Sequence, residues 1–320
     1  MMKPLRLTLV QGLCKVLPPA IAYKPRNWIY SMYAGQKHHD EYEITTLVGT
    51  LVKCRVDDYA GYLFCTQGYA EWRNWATALA VCGPGDSMIE VGAQYGLETT
   101  GFARILARQN GQLHTFEPLP ANLATLKTLL AANDCQNVSV HSAAASDSYG
   151  RLRFVTPPVT HSGIGYALSP SDTPPDEDQA GEIIEVESIP VDALLSDLSR
   201  VRLICVDVEG HEIPVLRGAK QLVARDKPVI IVEADRDNQA KTGFSLNLLR
   251  DEMHNMGYNV YRLNRFGLDL ADPQDPRKRN WNWLGIHKDE PESTQRRIAG
   301  MIRRCGMLPP LRGLNPLVIR

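Results

Sequence analysis

Short apolar runs alternate with amphipathic segments through the middle of the chain. Between residues 83 and 290 the runs predict strands, and the segments with apolar residues three or four positions apart predict helices. The strands are predicted at 87–91, 112–116, 138–141, 151–155, 201–206, 229–232, 258–263 and 283–286. The helices are predicted at 97–109, 120–132, 191–197, 213–224 and 245–256. Repeated strand–helix units predict an α/β fold with a mainly parallel sheet and helices on both faces.

The segment ahead of this region has another pattern. Residues 1–82 begin with an apolar stretch at 5–16 that Lys15 interrupts and a proline pair follows. An amphipathic helix is therefore predicted there rather than a signal peptide. Strand-like sequence at 44–64 comes next. We predict an N-terminal appendage of helices and strands, followed by a domain at 83–290.

Two further segments lack the alternation of strands and helices. Residues 169–182 are acidic and proline-rich without apolar anchors, which predicts a surface loop within the domain. Residues 291–320 form a basic tail, and one helical face of it carries Ile298, Met301, Ile302 and Cys305. Basic amphipathic helices can lie on a membrane surface, but packing on the rest of the protein is the predicted role of this tail.

Composition narrows the classes of function. The chain has 35 basic and 36 acidic residues, so its charge does not indicate a nucleic-acid partner. Its seven cysteines are scattered without a C-x-x-C pair, which indicates neither a zinc site nor a disulfide framework and favours a reducing compartment. No apolar run reaches the length of about 20 residues that a bilayer span needs. We expect a cytoplasmic protein.

The most informative segment joins a buried strand to a glycine turn, Ile89-Glu90-Val91-Gly92-Ala93-Gln94-Tyr95-Gly96. The next predicted strand ends at Glu117. Glycine lets the backbone approach a ligand, and an acid at the tip of the second strand can accept hydrogen bonds from both ribose hydroxyls. The glycines do not form the G-x-G-x-x-G pattern that surrounds a pyrophosphate. This favours a nucleoside without phosphate, and S-adenosylmethionine is the obvious candidate.

Four acidic residues stand at the ends of predicted strands. They are Glu90, Glu117, Asp207 and Glu233. Ligands of such sheets bind at the carboxyl ends of the parallel strands. We therefore expect these side chains to surround one site.

Motifs along the chain make it similar to a known family. They are Pro84-Gly85-Asp86, the segment Ile89 to Gly96, Phe116-Glu117-Pro118, Ala144 to Gly150, and Asp207-Val208-Glu209-Gly210-His211-Glu212-Ile213-Pro214-Val215-Leu216-Arg217-Gly218-Ala219. In this order they resemble the FkbM-type methyltransferases from about Gly83 to Val232. The resemblance implies a Rossmann-like class I methyltransferase fold with a mainly parallel seven-stranded sheet. It also implies an S-adenosylmethionine-dependent enzyme (EC 2.1.1.-) that methylates a hydroxyl of a sugar, glycan or natural product.

The sequence departs from the family pattern at four positions. The family usually has Asp where this chain has Glu90 and Asn where it has Gln94, so both side chains are longer here. It often has Lys at Cys205 and Ala at His211. The last two changes remove a lysine and add a histidine beside the expected reaction centre.

The predicted cofactor contacts follow from the strand ends. Gly92 and Gly96 would let the backbone pass close to the methionine part, and Glu90 would face its amino end. Glu117 would accept from the ribose hydroxyls, while residues at the end of the third strand would line the adenine. The predicted cofactor-binding residues are Glu90, Gly92, Ala93, Gln94, Gly96, Glu117, Pro118, Ser142 and Ala143.

The predicted catalytic residues are Asp207, Glu209 and His211, which lie within five positions of one another. Methylating a hydroxyl requires removal of its proton as the oxygen attacks the methyl group, and each of the three could accept that proton. The sequence does not select one of them.

A metal site is considered but not predicted. Asp207, Glu209, Glu233 and Asp235 carry the hard oxygen ligands that magnesium takes. Their spacing does not demand an ion, and Glu209 could instead cap the helix that begins near His211.

The expected partner is a small-molecule or glycan acceptor, without nucleic acid, and the sequence gives no oligomeric state. Two alternatives stay open: N- or carboxyl-methylation on the same fold, and a non-catalytic nucleoside-binding or scaffold protein.

Overall fold

The computed structural model describes residues 4–35, 37–156, 165–168, 182–275 and 282–319. Its helices are α1 (Leu5–Cys14), α2 (Pro19–Ile29), α3 (Met32–Gly35), α4 (Tyr59–Gln67), α5 (Trp72–Val81), α6 (Thr99–Ala107), α7 (Pro120–Ala132), α8 (Glu212–Arg217), α9 (Lys220–Asp226), α10 (Arg236–Lys241), α11 (Leu246–Asn255) and α12 (Glu292–Met307). Its strands are β1 (Glu41–Thr45), β2 (Leu51–Arg55), β3 (Ser87–Val91), β4 (Gln112–Phe116), β5 (Val138–His141), β6 (Ala144–Ser146), β7 (Gly150–Val155), β8 (Tyr166–Ala167), β9 (Ile183–Pro190), β10 (Val201–Val206), β11 (Val229–Glu233), β12 (Tyr258–Asn264), β13 (Gly267–Leu270) and β14 (Asn282–His287). The predicted loop at 169–182 lies, apart from Glu182, outside the described residues.

The central sheet has eight strands in the order β13-β12-β14-β11-β10-β3-β4-β5. Strands β5, β4, β3, β10 and β11 run parallel to one another, and β14 is antiparallel to both of its neighbours, β11 and β12. The predicted α/β class is confirmed. The eighth strand, β13, was not predicted. It is a short edge strand that turns back from β12 after Phe266 and pairs antiparallel with it.

Both faces of the sheet are covered. On one face Ile89, Ile204 and Ile230 pack with residues of α8, α9 and α11. On the other face Met88 and Leu203 share a core with side chains of α4, α5 and α6. That second core also contains Leu7 and Val10 of α1 and the apolar face of α12, namely Ile298, Ile302 and Cys305. The N-terminal appendage and the C-terminal tail are therefore packed against the same face of the sheet.

Three predicted elements differ in the structure. The strand at 151–155 forms as β7, but it pairs with β8 and β9 in a separate four-stranded sheet. The helix at 213–224 is divided into α8 and α9 at Gly218, where a Cβ atom would lie 1.8 Å from the carbonyl oxygen of Ser146. The short helix predicted at 191–197 is a 3₁₀ helix over Val191–Leu194.

The strand-like segment at 44–64 is the largest error. Its first part forms β1 and β2, but residues from Tyr59 onward form α4. The Asp58 carboxylate accepts a hydrogen bond of 2.7 Å from the Gly61 N–H and so caps this helix. The N-cap residue Asp58 indicates a helix here, whereas the apolar residues that follow it had been interpreted as a strand.

Among the described residues, no helix has both the length and the apolar composition needed to cross a bilayer.

Candidate active site

A cavity of about 750 Å³ opens at the carboxyl ends of the central strands β4, β3, β10 and β11. The four strand-end acids, Glu90, Glu117, Asp207 and Glu233, all line it. This part of the prediction is confirmed because parallel strands end at the same edge of the sheet.

Most of the predicted cofactor residues also line the cavity. These are Glu90, Gly92, Ala93, Gln94, Glu117, Pro118 and Ala143. Two do not: Gly96 faces α7, where an added Cβ atom would lie 2.5 Å from Cδ1 of Leu126, and Ser142 is exposed outside the cavity. Gly96 therefore allows close packing of the turn on α7, while Ser142 follows the strand end on its outer side.

The turn after β3 requires glycine at Gly92. Its φ is +94°, and a Cβ atom there would lie 1.9 Å from the carbonyl oxygen of Asp207. Gln94 also has a positive φ, +52°, and its N–H points at Glu117. The turn thus brings the loop after β10 against the loop after β3, which places Asp207 beside the predicted cofactor site.

Glu117 is held by three hydrogen bonds. One carboxylate oxygen accepts the Gln94 N–H at 2.8 Å, and the other accepts the Leu119 N–H at 2.9 Å and the Asn122 side-chain amide at 3.1 Å. Burial raises its pKa to about 7, although these three hydrogen bonds lower it. A carboxylate has about four acceptor sites, so this side chain can still accept from a ligand.

Glu90 is buried one strand away. Its carboxylate accepts a hydrogen bond of 2.7 Å from the Thr115 hydroxyl on β4. Burial raises its pKa to about 7, and the nearby Glu117 adds to the rise. Both acids are therefore poised to change protonation near neutral pH.

An apolar patch adjoins Glu117. Leu119, Ala144 and Phe154 pack together and line the cavity next to the carboxylate. A hydrogen-bonding acid beside an apolar surface suits a nucleoside. The sugar hydroxyls can donate to the acid, and the base can pack against the apolar side chains.

The loop after β10 carries the three predicted catalytic residues, and all of them line the cavity. Asp207 is open to the water of the cleft, yet it lies deep between the walls. Desolvation, together with the charges of Glu209 and Glu212, raises its pKa well above the usual range. No side chain of a described residue donates a hydrogen bond to its carboxylate. Asp207 is the free acid of the loop.

Glu209 and His211 are both engaged by neighbours. The Glu209 carboxylate accepts a hydrogen bond of 2.5 Å from the Asn238 amide. The His211 Nε2 atom lies 3.0 Å from the Ser146 hydroxyl, and burial lowers the pKa of this imidazole to about 4. His211 is therefore a neutral and weakly basic side chain.

The possible metal ligands are only partly brought together. Ligand atoms of Asp207, Glu209 and Glu233 lie within 4.8 Å of one another, which is close enough to hold a cation. Asp235 is not in this group, since its carboxylate caps α10 by accepting from Asp237 and Asn238 N–H groups. Within the part of the chain that the structure describes, no fourth histidine, cysteine or carboxylate joins this group.

The helix that begins near His211 has no side-chain cap, so the alternative role considered for Glu209 is wrong. The loop before this helix is instead held by a residue that the sequence did not single out. Glu212 accepts hydrogen bonds from the Val208 and Gly210 N–H groups at 3.1 and 3.2 Å. Its second oxygen accepts from the buried Gln239 side chain. Glu212 thus holds the loop after β10 from within the core.

Replacing Glu212 by alanine is expected to destabilise the protein by about 2–4 kcal/mol, because two buried N–H groups would lose their acceptor. Replacing it by glutamine is expected to cost about 1 kcal/mol or less. Gln239 can turn its side-chain oxygen, which accepts no hydrogen bond from a described residue, toward the new amide. Chemical denaturation of the two variants measures the difference in the free energy of unfolding. Equal losses would show that these two hydrogen bonds do not hold the loop.

The N-terminal appendage supplies a wall that sequence reasoning did not assign. Glu98, at the start of α6, accepts the Glu71 N–H at 3.0 Å and the Asn74 side-chain amide at 3.3 Å. The Asn74 side-chain oxygen accepts in turn from Asn282 at 3.1 Å. Burial and the charge of Glu71 raise the pKa of Glu98 to about 8. All four residues line the cavity, so α5 forms part of the site.

A family model described as the methyltransferase FkbM domain matches residues 90–260, which is more than half of the chain. The comparison with curated proteins gives no match. Among solved structures, a methyltransferase FkbM from Methylobacillus flagellatus KT is 14% identical with a TM-score of 0.41; the match covers 87% of this chain but 58%, less than two thirds, of that one. The Aeropyrum pernix fibrillarin, solved with bound S-adenosyl-L-methionine, is 14% identical with a TM-score of 0.39, covering 68% of this chain and 78% of that one. A precorrin-6y C5,15-methyltransferase from Geobacter metallireducens GS-15 is 11% identical with a TM-score of 0.38, covering 69% and 89%.

Proposed function

The chain belongs to the FkbM methyltransferase domain family, and on this premise we propose that it transfers a methyl group from S-adenosylmethionine to a hydroxyl of a sugar, glycan or natural-product acceptor. One observation carries the proposal: a single cavity joins the glycine turn and Glu117 on one side to the free carboxylate of Asp207 on the other. The proposed nucleoside-binding residues and the proposed proton acceptor therefore line the same cavity.

The residues of the cavity suit the methyl donor. Glu117 would accept from the ribose hydroxyls, and the patch of Leu119, Ala144 and Phe154 would contact the adenine. Glu90 would face the amino group of the methionine part. When bound, S-adenosylmethionine supplies a methyl group that its sulfonium already activates, so the protein has mainly to orient the acceptor and remove one proton.

Asp207 is the residue that best fulfils this second task. As the acceptor oxygen forms its bond to the methyl carbon and the carbon–sulfur bond breaks, the hydroxyl proton would pass to the Asp207 carboxylate. Its raised pKa makes it a stronger base than an ordinary aspartate. His211 has a lowered pKa and Glu209 is held by Asn238, so both suit this role less well.

The charge of the cavity limits the acceptor. Two basic residues, Arg73 and Lys241, face ten acids among the described lining residues: Asp58, Glu71, Glu90, Glu98, Glu117, Asp207, Glu209, Glu233, Asp235 and Asp237. Arg73 is paired with Glu71. The walls therefore offer a carboxylate or phosphate two cationic side chains, one of them already paired, which disfavours carboxyl-methylation and nucleic-acid substrates. A neutral, hydroxyl-rich acceptor is favoured.

The same charge supports a second candidate, N-methylation of an amine. A cationic amino group would be attracted to the walls, and Asp207 could remove its proton before transfer. The two candidates share the donor site and differ only in the acceptor atom.

Incubation with isotopically labelled S-adenosylmethionine and three acceptor panels separates the candidates. Neutral sugars and hydroxylated natural products form one panel, amino sugars and polyamines the second, and carboxylates the third. Mass spectrometry of the products then locates the methyl group. Labelling confined to oxygen supports the proposal, and labelling confined to nitrogen supports the second candidate. Donor binding without transfer to any panel would favour the non-catalytic alternative.

Binding of the donor is expected to release protons near neutral pH. Glu90 and Glu117 each have a pKa of about 7 in the ligand-free protein, so both are partly protonated there. The ammonium and ribose hydroxyls of the donor favour the ionised carboxylates, which lowers both pKa values in the complex. Protons therefore compete with the donor below pH 7, and affinity should rise by up to about tenfold per pH unit for each proton released.

Calorimetry at pH 7 in two buffers of different ionisation enthalpy measures the number of protons released. The Glu90→Gln variant should release fewer protons than the wild type. An affinity that does not change between pH 6 and 8 would contradict the assignment of both carboxylates.

A further inference from the structure

Helix α1 exposes an apolar face as well as burying one. Leu7, Val10 and Cys14 are buried in the core. On the opposite side Leu5, Leu9 and Leu13, spaced by one helical turn, are 75%, 53% and 37% exposed. The sequence predicted an amphipathic helix at this place, but the helix is apolar on both sides, and within the described residues its outer side is uncovered.

Helix α2 packs against α1 and continues this exposure. Ile21 is 42% exposed and Trp28 is 87% exposed, and their spacing places them on one side of the helix. Val16, in the connection between the two helices, is 52% exposed. We call these residues the N-terminal apolar surface: Leu5, Leu9, Leu13, Val16, Ile21 and Trp28. Isolated exposed apolar side chains need no explanation, but a grouped set marks an interaction surface.

The N-terminal segment that carries this surface has charges of one sign. Residues 1–39 contain six of the 35 basic residues of the chain and none of its 36 acidic residues, although the whole chain is nearly neutral. Arg6, Lys15 and Lys24 are exposed, and none of them forms an ion pair with a described residue. Arg6 follows Leu5 on α1, Lys15 precedes Val16, and Lys24 lies between Ile21 and Trp28.

We propose that the N-terminal apolar surface docks on an anionic lipid bilayer. Leucine and isoleucine side chains would enter the boundary between headgroups and acyl chains, and the lysine and arginine side chains would contact lipid phosphates. Tryptophan is preferred at this depth because its ring is apolar and its N–H polar. A protein groove or a second copy of the chain would need the apolar side chains but not the uniform positive charge. The surface lies on the outer side of α1, whose inner side hydrogen-bonds to α4 through Gln11.

Flotation of the full-length protein with vesicles tests the proposal. Vesicles of phosphatidylcholine with phosphatidylglycerol should bind the protein, vesicles of phosphatidylcholine alone should bind it much less, and added salt should weaken binding. The Leu9→Gln/Leu13→Gln double variant should bind about tenfold more weakly or worse. Each of Lys15→Gln and Lys24→Gln should lower binding about fivefold. Leu270→Gln and Lys127→Gln, on exposed residues elsewhere, are the matched controls and should not change it.

Tryptophan fluorescence gives a second readout that does not depend on the leucine variants. Trp28 is exposed, whereas Trp72, Trp75 and Trp283 are buried. Anionic vesicles should shift the emission to shorter wavelength in the wild type but not in Trp28→Phe. Three outcomes would overturn the proposal: no binding to anionic vesicles, binding that the α1 and Trp28 variants leave unchanged, or self-association through this surface without lipid binding.

Discussion

Replacing Glu117 by alanine is expected to weaken S-adenosylmethionine binding by about ten- to a hundredfold. A hydrogen bond to a charged acceptor contributes about 1.5–3 kcal/mol, and the variant would lose the acceptor site that Glu117 has left for the ribose. Glu117 lies at the tip of β4, is buried and lines the cavity beside the glycine turn. Calorimetric titration with S-adenosylmethionine and S-adenosylhomocysteine measures the loss.

The same side chain also holds the protein together, so the test needs a second variant. Glu117 accepts hydrogen bonds from Gln94, Leu119 and Asn122, which alanine would leave without their acceptor. Glu117→Gln keeps one oxygen acceptor and should lose less stability while still losing affinity. Glu187→Gln, on an exposed acid of β9, is the control for a change of charge alone. If both Glu117 variants bind like the wild type while folded, the ribose does not lie at this residue.

Replacing Asp207 by asparagine is expected to lower kcat by about 10²–10⁴-fold while donor binding is retained. Asparagine keeps the size of the side chain but cannot accept the acceptor proton at neutral pH. Because the pKa of Asp207 is raised, the wild-type kcat should rise with pH beyond the range in which ordinary carboxyl groups ionise, and the variant should lose this rise. Single-turnover measurements across pH, with the acceptor that the panels identify, check both statements.

Two further variants in the same loop identify the base. Glu209→Gln and His211→Gln should each have a smaller effect than Asp207→Asn, since one carboxylate is held by Asn238 and the imidazole is weakly basic. A large loss for His211→Gln with little loss for Asp207→Asn would make His211 the base. Unchanged kcat in all three would remove the whole loop from proton transfer.

Local sequence pattern was enough for several strands of the central sheet and for one helix. The strands β3, β4, β5 and β10 and the helix α7 have the predicted bounds. A strand buried on both faces is a continuous apolar run, and a helix with one buried face repeats every three to four residues, so each can be recognised without its partners. The pattern failed at α4, where Asp58 capped a helix inside an apolar run, and at the break between α8 and α9.

The strand-end residues that line the cavity could be predicted in the same way. Their hydrogen-bond partners and pKa shifts could not. Strand-end positions placed Glu90, Glu117, Asp207 and Glu233 around one cavity before any contact was known. The side chains that the N-terminal appendage adds to the cavity could not be predicted from the sequence. Asn74 donates a hydrogen bond to Glu98, and neither strand position nor motif indicates that pairing.

The sequence by itself determined the α/β class, the family and the strand ends that line the candidate site, because these depend on local burial and on motif order. The tertiary structure decided which carboxylate of the loop after β10 is free, which side chains surround the cavity, and that α1 exposes leucines on its outer side. Each of these depends on side chains far apart in the chain: Asn238 engages Glu209, Asn74 lines the cavity beside Glu98, and the core covers only the inner side of α1. Contacts of this kind determine the hydrogen-bond partners and the desolvation of a side chain. The local sequence pattern does not predict such contacts.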